Sequence, residues 1–311
     1  MQRRLIPAVT EAQMIPKQKP AGFRWAVPLV FCVFPSLRRV TMPSASGSSM
    51  MSSLTASTVI CPFFGFLILM TEECRKILTS QESEDLDTLF ALGGSSGGAG
   101  PKVLLKMDDG EWIVKFPSSS DSAQIGMLEY EYNLCAQACG IEIPEVRLFP
   151  SSGCTGYFGC RRFDRIKTDG TVQKLHMAAA SALLEVSHRI TALDYSSLMA
   201  LTWQLTKQSS ELKKMFLLMC FNVFAHNRDD HSDNFSFICD RGTWRLAPAY
   251  DLTYSDSFGG EHATTVAGEG QNPGMKEILQ IARKAGFREA QAREMAESVR
   301  ETVLRNLSEY L

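Results

Sequence analysis

The feature that most constrains this chain is a dense polar segment that comes directly after an apolar helix. Residues Met215 to Ala225 are apolar almost throughout, which predicts a helix that is buried on all sides. It is followed at positions 226–234 by His-Asn-Arg-Asp-Asp-His-Ser-Asp-Asn, the densest polar cluster in the sequence. The fold must therefore place a group of acids, amides and imidazoles at the end of its buried helix.

A β-hairpin is predicted immediately after this cluster. Phe235 to Cys239 and Thr243 to Leu246 are predicted strands, and an Asp-Arg-Gly turn separates them. Folding the chain at that turn brings Asn234, before the first strand, close to Asp251, after the second. An amide oxygen and a carboxylate are hard ligands that suit Mg²⁺ bound to nucleotide phosphates. The sequence therefore predicts a Mg²⁺ site at Asn234 and Asp251.

Asp229 precedes Asn234 by five residues on the same predicted loop. A carboxylate at this place can accept the proton of a substrate hydroxyl, and the order Asp-x-x-x-x-Asn, hairpin, Asp follows the catalytic-loop logic of protein kinases. A metal-dependent hydrolase is the alternative from another class, with these ligands: His226, Asp229, Asp230 and His231. The irregular spacing of the two histidines favours the kinase interpretation.

A glycine-rich stretch covers residues 93–102, with the sequence Gly-Gly-Ser-Ser-Gly-Gly-Ala-Gly-Pro-Lys. Its glycines free the backbone to aim several N–H groups at one point, as a loop that holds phosphates requires. A flexible linker is the alternative for this stretch taken alone. A hairpin is predicted next, from Val103 to Met107 and from Glu111 to Phe116 around an Asp-Asp-Gly turn.

Lys115 lies in the second strand of that hairpin between apolar neighbours, where an ammonium group needs an anionic partner. The next predicted helix, roughly residues 122–139, offers Glu131, whose neighbours three and four residues away are all apolar. Glu129 has Asn133 four residues away and is expected on the flank of the helix. A Lys and a helical Glu paired in this way hold nucleotide phosphates in kinases. The alternative is a Glu131 whose head group reaches water.

The region between the two candidate sites is predicted to form strands and then helices. It contains the cluster Arg-Arg-Phe-Asp-Arg at 161–165, which favours a salt-bridged strand end over a nucleic-acid contact. Helices are predicted near residues 174–186, 194–208 and 211–225.

The first seventy residues differ in composition from the rest of the chain. They carry seven basic side chains and one acid, a net charge of +6, whereas the remaining residues have a net charge of −8. Their apolar run from Val59 to Met70 is too short to cross a membrane. Residues 1–69 are interpreted either as a spurious extension before a start at Met70 or as a genuine but irregular segment. The nine cysteines contain no C-x-x-C pair, which favours free thiols in the cytoplasm.

From about Met70 to Leu311 the chain resembles the HipA-like serine/threonine kinases of bacterial toxin–antitoxin pairs. The resemblance rests on these pieces in this order: Gly-Gly-Ser-Ser-Gly-Gly-Ala-Gly-Pro-Lys at 93–102, Trp-Ile-Val-Lys-Phe-Pro at 112–117, Glu131, Arg-Phe-Asp-Arg at 162–165, residues 227–234, and Leu-Ala-Pro-Ala-Tyr-Asp-Leu at 246–252.

The resemblance implies an α+β, bilobed protein-kinase-like fold with a small β-rich N-lobe at residues 70–168 and a larger helical C-lobe at residues 169–311. ATP and Mg²⁺ are the implied cofactors, with Asp229 as catalytic base and with Asn234 and Asp251 as metal ligands. The residues expected to bind ATP are Ser95, Ser96, Gly97, Gly98, Lys102, Lys115, Glu131 and His231.

The resemblance also implies autophosphorylation at Ser95 or Ser96, an aminoacyl-tRNA synthetase as protein substrate, and a small DNA-binding antitoxin as partner. DNA is then contacted only through the antitoxin, and no membrane is involved. Two positions depart from the family pattern, since Asp233 stands where Lys is usual and Gly100 where a basic residue is common. Both changes remove positive charge near the triphosphate. The alternative is therefore a catalytically impaired pseudokinase that binds nucleotide or antitoxin.

Overall fold

The structure is a computed structural model that describes residues 102–107, 109–118, 121–151, 154–168, 171–186, 193–257 and 259–311. The predictions for residues 1–69 and for the glycine-rich loop ahead of Lys102 concern residues outside these ranges. Within them the chain is a mixture of strands and helices, in agreement with the predicted α+β class.

Strands and helices are numbered in chain order. The strands are β1 (Lys102–Met107), β2 (Gly110–Lys115), β3 (Val146–Phe149), β4 (Tyr157–Arg161), β5 (Arg165–Thr168), β6 (Thr171–Lys174), β7 (His176–Ala179), β8 (Leu193–Asp194), β9 (Ser236–Asp240), β10 (Thr243–Leu246) and β11 (Thr264–Thr265). The helices are α1 (Ile125–Ala138), α2 (Ala180–Leu184), α3 (Tyr195–Thr206), α4 (Ser209–Phe224), α5 (Met275–Lys284) and α6 (Glu289–Leu307), and a 3-10 turn covers Ser232–Asn234.

An antiparallel sheet with strand order β1-β2-β4-β3 forms the first part of the described chain. Val103 pairs with Val114, which confirms the predicted hairpin. Apolar side chains alternate along β1 and β2, and the inward set packs around the fully buried Trp112 as a small core of its own. This core keeps the end of β2, and with it Lys115, in a defined position.

Helix α1 packs against β3 and β4, and it agrees with the helix predicted over 122–139. Gly126 permits the contact, because a Cβ atom at this position would lie 2.2 Å from the backbone oxygen of Gly156. This close contact fixes the separation between α1 and the sheet, and so the position of the α1 side chains relative to β2.

The helix predicted near residues 174–186 is wrong, because this stretch forms β6, β7 and the short α2. Strand β7 pairs with β9, with Met177 opposite Ile238, and so becomes the third strand of the β9–β10 hairpin sheet. The helical tendency of Met177 to Ala180 is thus overridden by pairing to a distant strand.

The arginine-rich cluster forms the predicted salt-bridged strand end. Asp164 accepts from Nη2 of Arg162 at 2.6 Å and from Nη1 of Arg165 at 2.5 Å, and Nε of Arg165 lies 3.6 Å from Glu111. With their charges paired inside the protein, these arginines anchor the chain where it leaves the first sheet.

Helices α3 to α6 surround the larger hydrophobic core. In α4 every residue from Met215 to Val223 is buried, which confirms the buried helix predicted from Met215 to Ala225, although Phe224 is only half-buried. The chain leaves α4 directly into the polar segment at 226–234. The polar segment at 226–234 therefore lies at the end of the buried helix, at the edge of the helical core.

The described cysteines are free thiols. Within the described ranges, no helix is both long and apolar enough to span a membrane.

Candidate active site

The end of β2 places Lys115 between two carboxylates. Its Nζ lies 2.5 Å from Oε1 of Glu129 on α1, and it also donates to Oδ1 of Asp251, which follows β10. One ammonium group thus connects the first sheet, the helix behind it and the segment after the β9–β10 hairpin.

Lys102 lies directly opposite Lys115 in the β1–β2 register. Like charges in this relation are unfavourable, and burial together with the charge of Lys115 lowers the pKa of Lys102. Two lysine side chains that can contact an anionic ligand therefore lie at one end of the hairpin.

The partner of Lys115 on α1 is Glu129, and the predicted pairing with Glu131 is wrong. Oε2 of Glu131 instead accepts from the hydroxyl of Tyr310 after α6. The most buried face of α1 contains Gly126, Glu129 and Asn133, whereas Leu134, one of the apolar neighbours that favoured Glu131, is 41% exposed. Cys135, another of these neighbours, is buried, so apolar residues on both sides of Glu131 do not by themselves mark the inward face of the helix.

Asn133 is the signal that could have identified Glu129. It is buried, and its Nδ2 donates to the backbone oxygen of Glu129 at 2.8 Å. Because residues four positions apart share a face of a helix, the buried Asn133 and Glu129 both lie on the inward face of α1.

The charges of this cluster shift one another's pKa values. Burial acts to lower the pKa of Lys115, but the two carboxylates outweigh it and hold that pKa above its ordinary value. Burial raises the pKa of Glu129, although Lys115 opposes the shift. For Asp251 burial also acts upward, but Lys115 outweighs it and lowers the pKa. Lys115 is therefore cationic and Asp251 anionic at neutral pH.

Asp229 and Asn234 are joined within the loop that follows α4. Nδ2 of Asn234 donates to the backbone oxygen of Asp229 at 2.8 Å. The Asp229 side chain is 63% exposed, so a substrate can reach it. Desolvation raises the pKa of Asp229; Asp251 and Asp230 act in the same direction, while His231 opposes them.

Asp251 is held beside this loop by the residue before it. The hydroxyl of Tyr250 donates to the backbone oxygen of Asp233 at 2.6 Å and lies 2.6 Å from Oγ of Ser236. Asp251 itself has a left-handed backbone with φ of 58°, which is uncommon for a residue with a side chain. The β9–β10 hairpin thus brings Tyr250, the residue before Asp251, into contact with Asp233, the residue before Asn234.

Asn234 and Asp251 offer oxygen donors that fit a hard divalent cation. Because Nδ2 of Asn234 is a donor to Asp229, its Oδ1 is left as an acceptor. Asp251 uses Oδ1 for Lys115, which leaves Oδ2. These oxygen donors suit Mg²⁺.

The predicted nucleotide ligand His231 belongs to the same loop and contacts its neighbours there. Its Nε2 lies 3.9 Å from Oδ1 of Asp229, and its Nδ1 accepts from the backbone N–H of Asp233 at 3.3 Å. Of the other predicted ATP ligands, Lys102 is described at the start of β1, while Ser95, Ser96, Gly97 and Gly98 lie outside the described residues.

Asp233, the departure from the family pattern, is bound to a residue that the sequence did not single out. Its Oδ1 accepts from the hydroxyl of Ser181 in α2. No local pattern indicated this contact, because α2 reaches the loop only through the pairing of β7 with β9.

The hydrolase alternative receives no support. Asp230 is buried, whereas Asp229 is largely exposed, so these two of the four proposed ligands do not share a face. Across the part of the chain that the structure describes, no three His, Cys, Asp or Glu side chains are grouped as metal ligands.

A family model described as the HipA-like C-terminal domain matches residues 94–307, more than half of the chain. No curated protein matches the chain.

Two solved structures are similar to the chain. A chain of the Shewanella oneidensis MR-1 toxin–antitoxin complex of HipA, HipB and operator DNA is 18% identical, with a TM-score of 0.57, and the match covers 69% of this chain and 57% of that one. The chain thus spans less than two thirds of that protein's length, and at this identity the likeness concerns the fold. The Helicobacter pylori proinflammatory kinase CtkA is 15% identical, with a TM-score of 0.44, over 69% of this chain and 91% of that one.

Proposed function

This chain belongs to the family of HipA-like C-terminal domains, and from this premise we propose that it is an ATP- and Mg²⁺-dependent serine/threonine protein kinase. The proposal includes a bilobed arrangement that divides near residue 168. One observation supports it above all: Lys115 contacts both Glu129 and Asp251. A lysine held by a helical acid, beside a carboxylate that can bind a metal, is the arrangement that kinases use to bind nucleotide phosphates.

Two lysines and two metal ligands are proposed to bind ATP. An ammonium has three N–H donors, and Glu129 and Asp251 accept from Lys115, so a third donor can reach a phosphate oxygen. Lys102 adds positive charge at the same end of the hairpin. Asn234 and Asp251 would hold Mg²⁺, which supplies charge neutralisation for the phosphates.

The proposed transfer forms a bond from the substrate hydroxyl oxygen to the γ-phosphorus and breaks the bond to the β–γ bridging oxygen, so that ADP leaves. The hydroxyl proton goes to the carboxylate of Asp229. Its raised pKa makes Asp229 a better proton acceptor than an ordinary aspartate. Its exposure allows a protein side chain to approach.

The proposed partners follow from the family. The Shewanella oneidensis structure contains HipB and operator DNA. We propose that this chain likewise pairs with a small DNA-binding antitoxin and contacts DNA only through it. The proposed substrate is an aminoacyl-tRNA synthetase in the cytoplasm, and Ser95 or Ser96 is the proposed autophosphorylation site.

A pseudokinase is the second candidate, and Asp233 is the observation that favours it. This acid stands where the family has a lysine, so the site has a negative charge in place of a positive one. Such an exchange weakens stabilisation of the transferring phosphate.

The test is phosphotransfer from ATP labelled in the γ-phosphate, with and without Mg²⁺. We expect transfer by the wild-type chain and a loss of about 10²- to 10⁴-fold in Asp229→Asn, with circular dichroism and nucleotide binding unchanged. Nucleotide binding without transfer by the wild type would identify a pseudokinase. Undiminished transfer by Asp229→Asn would remove Asp229 from its role.

Mass spectrometry of the same reactions tests the loop serines. Phosphate is expected between Gly93 and Lys102 after incubation with Mg-ATP, and Asp229→Asn should lack it. Phosphate found only elsewhere in the chain contradicts autophosphorylation at Ser95 or Ser96.

A further inference from the structure

A buried polar network lies directly behind the loop that contains Asp229. Its members come from three distant parts of the chain, and each is at most 2% exposed: Tyr195, Asn222, Asn227, Asp230, His262 and Thr264. Burying this many polar groups is costly unless they serve one another as hydrogen-bond partners.

Asp230 is the centre of the network. Its Oδ2 accepts from the hydroxyl of Tyr195 at 2.8 Å and lies 3.1 Å from Nδ1 of His262. Its Oδ1 accepts from the backbone N–H of Thr264 at 3.1 Å. The Asp230 carboxylate, next to the proposed base Asp229, is thereby bonded both to Tyr195 of α3 and to Thr264 of β11.

The same network continues into the end of the buried helix α4. Nδ2 of Asn222 donates to the hydroxyl oxygen of Tyr195 at 2.9 Å, and Nδ2 of Asn227 donates to Oδ1 of Asn222 at 3.0 Å. Tyr195 therefore acts as a bridge, because it passes a hydrogen bond from α4 to Asp230. The Tyr195 hydroxyl is therefore bonded directly to Asp230, and through Asn222 to Asn227.

A backbone contact extends the support to the segment after Asp251. The N–H of Ala263 donates to the backbone oxygen of Arg228 at 2.9 Å. The residues immediately before and after Asp229 are thus both bonded to residues 262–264. The side chain of Asp229 is exposed, but hydrogen bonds hold the backbone on both sides of it.

We propose that Tyr195 and His262 are positioning residues for the phosphotransfer: by holding Asp230 from two sides, they fix the backbone that presents Asp229 to the substrate. This inference rests on the proposed kinase function. It predicts that loss of either contact slows the chemical step, because a small displacement of a reacting group lowers the rate of reaction strongly.

The decisive comparison is Tyr195→Phe against Thr202→Val. Both remove one fully buried hydroxyl from α3, but Thr202 donates to the backbone oxygen of Leu198 within the helix at 2.7 Å. We expect Tyr195→Phe to lower kcat about 10- to 100-fold with KM for ATP nearly unchanged. Thr202→Val should lose a similar amount of thermal stability and keep the wild-type kcat. Equal kcat values for the two variants would overturn the proposal.

His262 provides a second, independent comparison. An asparagine amide can place an N–H close to the position of Nδ1, so His262→Asn should retain most of the wild-type kcat. His262→Ala should lose about as much as Tyr195→Phe. A His262→Asn protein as slow as His262→Ala, at equal melting temperature, would show that this contact to Asp230 has no positioning role.

Hydrogen exchange separates failure of this inference from failure of the proposed function. Backbone amides of residues 227–234 should exchange faster in Tyr195→Phe than in Thr202→Val, whether or not the wild type transfers phosphate. Faster exchange without any wild-type transfer would contradict the kinase function and retain the network as the support of the loop. Unchanged exchange in Tyr195→Phe would contradict the positioning role.

Discussion

The ammonium group of Lys115 has two partners with different surroundings. Glu129 is 6% exposed and rests on a helix, whereas Asp251 lies at a more open position beside the loop of Asp229. Removing one member of a buried ion pair leaves the other charge without compensation. We therefore expect Glu129 to keep Lys115 in place when the proposed Mg²⁺ occupies Asp251.

Glu129→Gln and Glu131→Gln form a matched pair on one helix. We expect Glu129→Gln to reduce kcat/KM for ATP by about tenfold or more, a loss of at least ~1.4 kcal/mol, because the charged contact to Lys115 is gone. Glu131→Gln should stay close to the wild type, since Glu131 contacts Tyr310. Steady-state kinetics with ATP as the varied substrate measure both. A larger loss in Glu131→Gln than in Glu129→Gln would instead support Glu131 as the partner of Lys115.

Asp233→Asn tests the departure from the family pattern. Asparagine retains an oxygen that can accept from Ser181, but it removes a negative charge from the loop that is proposed to face the phosphates. We expect a rate increase of a few fold in phosphotransfer, and a larger one in Asp233→Lys. Rates equal to the wild type in both variants would show that Asp233 does not limit the reaction.

At the scale of elements, the packing of α1 on the sheet determines where Glu129 lies. Gly126 is buried on α1 one turn before Glu129, against the backbone of Gly156. Any side chain here must push the helix away from the sheet, because backbone atoms cannot rearrange as a flexible side chain does.

Gly126→Ala is therefore expected to destabilise the fold by about 1–3 kcal/mol and to weaken ATP binding through displacement of Glu129. Gly140→Ala is the control: its φ is +78°, but a Cβ atom would meet nothing within 4 Å among the described residues, so its cost is backbone strain of about 1–2 kcal/mol. Thermal unfolding and nucleotide titration distinguish them. Loss of ATP binding in both variants would contradict a local effect of Gly126.

At the scale of the whole molecule, residues 1–70 differ from the rest of the chain in composition. Residues 1–70 have a net charge of +6 against −8 for the remainder, and the family match covers residues 94–307. A segment without a repeating apolar pattern has little means of joining a packed core.

A shortened chain that begins at Met70 should keep its melting temperature and its ATP binding. It should also be more soluble, because the apolar run from Val59 to Leu69 is removed. Differential scanning calorimetry and nucleotide titration of the full and shortened chains provide the comparison. Aggregation or a large loss of stability on shortening would mean that the first residues cover part of the fold.

Local patterns in the amino-acid sequence were sufficient for the elements that contain the site. The apolar run of α4, the Asp-Arg-Gly turn and the alternation in β1 and β2 each report a structure made by neighbouring residues, so these elements were predicted correctly. Lys115 was also recognised as needing an acid, because its neighbours in the strand are apolar. The roles of Asp229, Asn234 and Asp251 in catalysis and metal binding stay predictions.

The tertiary structure alone decided which distant groups meet. The choice of Glu129 over Glu131 depends on the rotation of α1 against the sheet, a difference of about half a helical turn that apolar neighbours did not resolve. Strand β7 formed in place of a helix because β9 supplied its hydrogen bonds. Contacts such as Ser181 with Asp233 and Tyr195 with Asp230 join residues far apart in the chain. Their hydrogen bonds exist only after separate elements have packed, and for that reason no local pattern encodes them.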